Sequence, residues 1–130
     1  MKAAVRIVMC CAAVLLFSSA AAAQKGGAAW GLPQVFSSLS YGMESGDVGG
    51  MEVILIPGDG VFWAAVTIAE GVPRDPVLVK ADVKGSDVSF TLAGEGAYAG
   101  KFKGKISAAG LRLWWPSGEQ LGLLKRQRCR

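Results

Sequence analysis

The chain of 130 residues contains no histidine. That removes Ser–His–Asp and Cys–His catalytic arrangements, imidazole proton shuttles and His-ligated zinc together. Cysteine is nearly missing as well. Cys10 and Cys11 fall near the start, and only Cys129 stands beyond residue 23. A fold built from the later residues has no internal disulfide and no four-cysteine metal site. There is no GxSxG elbow and no GxxxxGK[ST] loop. Gly94-Glu95-Gly96 is followed by Gly100, which breaks the GxGxxG spacing of a phosphate-binding turn. Beyond residue 23 the longest apolar segment is 61–69, far short of the roughly 20 residues that span a bilayer. The sequence therefore implies no metal, no cofactor and no membrane span in the processed chain.

Hydrophobic residues make up 52% and charged residues 18%, so the chain is not a disordered polar tail. The start carries a targeting pattern. Lys2 and Arg6 form a positive region, residues 7–17 an apolar one, and residues 18–23 are all small. Ala21-Ala22-Ala23 supplies a cleavage site after Ala23. The expectation is a cleaved signal peptide over 1–23 and a protein working in the periplasm or outside the cell. Lys2 and Arg6 would leave with it. Lys125, Arg126, Arg128 and Arg130 crowd the end, and the residues between are slightly acidic. The net charge of +4 thus describes the two ends, and gives no reason to expect a nucleic-acid partner.

After a loose segment at 24–33, turn residues recur every 8 to 12 positions, the spacing of a meander, barrel or sandwich. Strands are expected around 34–41, 51–56, 61–69, 77–84, 87–92, 98–106, 111–115 and 120–125. Val77, Val79, Ala81 and Val83 alternate with polar neighbours, as do Val88, Phe90 and Leu92. Gly85-Ser86 between them reads as a two-residue hairpin. Residues 70–76 read as a link that no central strand includes, because Pro73 and Pro76 lack a backbone donor. No window beyond the leader shows a helical stripe. Together these predict an all-β domain over 34–126, a single antiparallel meander of seven or eight strands. It forms a small closed or half-open β-barrel, with a sandwich as the alternative, and ends in a basic tail at 127–130.

One resemblance can be placed on residues. Gly50-Met51-Glu52-Val53, Trp63 to Gly71, Pro76 to Val79, Val88-Ser89-Phe90, Gly100 to Ile106, Gly110-Leu111 and Leu124-Lys125-Arg126 resemble a group of small exported bacterial all-β proteins of uncharacterised function. The resemblance implies an exported all-β domain, and brings no activity or site residues.

The candidate functional residues are aromatic and basic. Trp114 and Trp115 are adjacent, so on a strand they point to opposite faces, and one should be exposed or line a groove or partner surface. Trp63 follows Phe62 and raises the same question, a core ring being its plainer account. Tyr98 joins these three as a candidate contact. Lys101, Lys103 and Lys105 project on one face about 6 to 7 Å apart. They attract an anionic ligand, or simply solvate an outer face or protect an edge. Glu44 and Asp47 are the candidate carboxylates for a small hydrolase, the least favoured class. Cys129 is an exposed thiol that can join two chains into a homodimer. The leading expectation is a non-catalytic binding module. It would hold a small apolar or amphiphilic ligand, or present a strand edge or aromatic patch. The alternative is an envelope interaction or inhibitor protein acting through a protein partner.

Overall fold

The computed structural model describes residues 31–128. The expected signal peptide, residues 24–30 of the loose segment, and Cys129 lie outside the described residues. Nine strands follow one another: β1 (Gln34–Ser37), β2 (Ser40–Tyr41), β3 (Val48–Pro57), β4 (Phe62–Pro73), β5 (Val77–Lys84), β6 (Asp87–Leu92), β7 (Gly100–Ile106), β8 (Gly110–Trp114) and β9 (Gln120–Gln127). The described residues contain no helix.

All pairings are antiparallel, and eight of the strands form a ring in the order β1-β9-β8-β7-β6-β5-β4-β3. β1 closes it. Its residues pair with β3 (Phe36 opposite Val53) and with β9 (Phe36 opposite Arg126). The barrel is closed, which settles the choice against a half-open sheet or a sandwich. β2 is the ninth strand, two residues hydrogen-bonded to β3 alone.

The alternation of side chains fills the barrel. Phe36, Met51, Val53, Leu55, Ala64, Val66, Val88, Phe90, Leu92, Phe102, Leu111, Leu113 and Leu124 form one buried cluster. An eight-stranded barrel is just wide enough to be filled by its own side chains or to hold one small ligand. Phe90 and Phe102 face each other across β6 and β7 and stack with centroids 5.4 Å apart. No charged side chain is buried among the described residues. Apolar groups inside and charged groups outside are the reverse of a transmembrane barrel.

Glycine is required where strands approach most closely. Gly110 begins β8 with φ +147°, and a Cβ there would lie 2.1 Å from the Leu124 carbonyl oxygen. In the β5–β6 hairpin, Gly85 has φ +62°, the sign that the first position of a type II′ turn needs.

Two expectations need correction. Residues 70–76 are not all link, since β4 continues to Pro73. β5 pairs with β4 only from Val66 back to Phe62, so the last part of β4 has a partner on one side only and Pro73 forfeits no ladder bond there. Trp63 is not a core ring. Ala64 and Val66 take the inward positions, so Trp63 points outward, beside Ile56 and Lys80.

Phe36 fastens the closing strand to the core. Phe36→Ala should cost about 3–5 kcal/mol, and the outward Val35→Ala no more than about 1 kcal/mol. Denaturant midpoints at constant slope are the check. Equal losses would mean that β1 is held by its hydrogen bonds and not by this ring.

Candidate functional site

The four candidate aromatic residues separate into three places. Trp63 lies on β4 and Trp114 on β8, four strands apart in a ring of eight and so on opposite sides of the barrel. The Lys80 ammonium sits 5.9 Å from the Trp63 ring centroid, a cation–π contact on the outer wall. Trp114 and Trp115 take opposite faces. Leu111 and Leu113 point inward, so Trp114 points outward, and Trp115 turns back and packs against the core. Tyr98 goes with Trp115 and not with Trp114.

Trp115 and Tyr98 continue the interior aromatic stack to one end of the barrel. Ring centroids are 5.7 Å apart from Phe102 to Trp115, and 5.5 Å from Trp115 to Tyr98. Above them the Arg74 guanidinium lies 5.5 Å from the Tyr98 ring and pairs with Glu70 at 2.6 Å. The Tyr98 hydroxyl donates to the other oxygen of Glu70. The phenol is thereby held neutral. Its hydrogen bond to Glu70, helped by burial and the nearby negative charge, raises its pKa above the usual value, while Arg74 opposes the rise. Glu70 and Arg74 were not candidates in the sequence. Tyr98 is 28 positions from Glu70, and no local pattern signals such a pair. This group closes one end, an arrangement suited to holding the loops together. At the other end the Arg126 guanidinium lies 5.5 Å from the Phe36 ring.

The lysine comb has a different setting. Lys101, Lys103 and Lys105 are all exposed on the outside of β7, while Phe102 and Gly104 face inward. A Cβ on Gly104 would come 2.8 Å from the terminal methyls of both Leu111 and Leu113, so those side chains would have to shift to admit it. Across the ladders Lys101 faces Thr91, Lys103 lies between Ser89 and Trp114, and Lys105 between Asp87 and Arg112. Lys84 pairs with Asp82 at 3.2 Å. Among the described residues none of the three comb lysines forms an ion pair. A recess of about 520 Å³ lies over this wall, lined among others by the three lysines, Ser89 and Trp114. Asp82, Lys84, Asp87 and Trp115 line it as well, so a net positive charge stands beside two indoles.

The carboxylate candidates do not converge. Glu44 and Asp47 stand exposed in the hairpin between β2 and β3, where the Asp47 amide donates to Ser45 Oγ at 3.2 Å. Among the described residues no three of His, Cys, Asp and Glu are grouped to hold a metal ion. The basic tail begins inside β9, which runs to Gln127.

No family model, curated protein or solved structure matches this chain.

Tyr98 supplies a titration test. A group whose neutral form is held ionises later in the folded than in the unfolded protein, whose phenol titrates near pH 10. The Glu70 bond therefore stabilises the fold at neutral pH and is lost as pH rises through the raised folded value. Phenolate absorbance should show a late-titrating tyrosine that is missing in Tyr98→Phe. A late step that survives the substitution would contradict the assignment.

Proposed function

We propose that this chain is an exported, non-catalytic binding module that takes its ligand on the outer wall of the barrel, over β7 and β8. One observation carries the reading: the indole of Trp114 stands beside Lys103, in a recess whose three comb lysines form no ion pair and, with Lys84, outnumber its two carboxylates, Asp82 and Asp87. A net positive wall beside an aromatic face suits an anion with an apolar or flat part. The interior supports a ligand less well, because its space is taken by side chains such as Phe36, Phe90 and Phe102. Closure also leaves the ring without an edge strand, the exposed stretches being the end of β4 and the start of β5, each paired on one side only.

A second reading, a surface for a protein partner, draws on Val72, Val77 and Leu78, which are large, apolar and exposed around the β4–β5 link. Hydrolysis has the least support, since Glu44 and Asp47 both stand exposed in a surface hairpin.

Anilinonaphthalene sulfonate, an anionic aromatic dye, tests the reading. The folded protein should bind it with enhanced fluorescence. Trp114→Ala and Lys103→Glu should each weaken binding about tenfold, a loss of the size expected for a central aromatic or charged contact. Neither should change thermal unfolding by more than a surface substitution does. Binding that persists in both variants would place the dye elsewhere and remove the wall as the site.

A further inference from the structure

We infer that the occupant of this wall is a linear anionic polysaccharide, laid along β7 with its acidic groups on Lys101, Lys103 and Lys105 and a sugar face on Trp114. The inference rests on the proposed binding role and names its ligand class. Its basis is the shape of the charge. Three exposed lysines in line on one strand make a strip about 13 Å long with a repeat of about 6 to 7 Å. A compact anion can engage one or two of them, whereas an extended polymer with an acidic group on successive units can engage all three.

The neighbouring side chains suit a sugar chain. Ser89 and Thr91 lie opposite Lys103 and Lys101 on β6 and offer hydroxyls to hydroxyls. The recess gives Trp114 one flank of the strip, where an indole can cover the apolar C–H face of a pyranose ring. Lys105 has Arg112 beside it on β8 and Asp87 on β6, so the acidic groups of the sugar chain meet their strongest attraction at Lys101 and Lys103.

A lipid surface is the competing anion, and the wall suits it less. Membrane-binding faces set apolar groups beside their basic ones so that they can enter the acyl boundary. Here the most exposed large apolar residues, Leu32, Met43, Tyr41 and Val72, are in other segments, and Trp114 is half-buried.

The test uses galacturonate oligomers of increasing length, with neutral dextran and phosphatidylglycerol vesicles as comparisons, titrated into the full processed chain. Affinity should rise at least tenfold from the monosaccharide to an oligomer long enough to cover the strip. It should fall as salt is raised. Each lysine-to-alanine change should weaken oligomer binding roughly two- to fivefold, and the effect of all three together should exceed that of any one. Dextran should not bind.

The outcomes separate the two claims. Dye binding that depends on Trp114 and Lys103, with no gain from oligomer length, would overturn the polysaccharide while leaving the binding module. Binding to the vesicles in preference to the oligomers would overturn it in favour of a membrane. Loss of both dye and oligomer binding would overturn the proposed function itself.

Discussion

The four residues of β1 make two ladders at once, with β3 on one side and β9 on the other, and this double pairing turns a meander into a ring. Without it β3 and β9 would each expose a row of unpaired backbone groups, a template for aggregation. Closure also gives the sheet an inside. Phe36 is the side chain of β1 that reaches the buried cluster, so closure of the ladders and packing of the core are one event. β1 and β9 lie at opposite ends of the described sequence, so their pairing orders a long stretch of chain before it is rewarded.

Closure then decides where function can be. Eight strands enclose a space that side chains can fill or that can hold one small ligand. Here those side chains include three phenylalanines, and Trp115 and Tyr98 continue the rings to one end. The Glu70–Arg74–Tyr98 group then joins the loop after β4 to the loop before β7. The proposed recognition is on the convex wall. On the wall, the successive outward charges of β5, Lys80, Asp82 and Lys84, alternate in sign. β7 departs from this by placing a lysine at every outward position from Lys101 to Lys105, and Trp114 on β8 lies against the middle one.

Much of this was legible from period-two alternation. The patterns at 77–84 and 87–92 coincide with β5 and β6, because β6 has one buried and one wet face, β5 one half-buried and one wet face, and a two-residue turn joins them. The comb on β7 was equally plain, since Lys and Phe cannot exchange faces. Trp63 was misread for a related reason. Alternation shows that Phe62 and Trp63 face opposite ways, and hydrophobicity alone does not say which is inside. Small Ala64 takes an inward place that the sequence would sooner give to a large ring. Closure, the two residues of β2, and the meeting of Glu70 with Tyr98 depend on long-range register, which leaves no local trace. The adjacency of Lys103 and Trp114 is of the same kind, because it needs the β7–β8 register.

The central claim is a solid barrel that works through its wall, and amide chemical-shift mapping with anilinonaphthalene sulfonate tests it most directly. The account predicts shifts confined to β7, β8 and the facing residues of β6, centred on Lys103 and the Trp114 indole, with Phe36, Leu55 and Leu124 unmoved. Shifts that spread through those interior residues, with the wall unaffected, would show a ligand inside the barrel and contradict it.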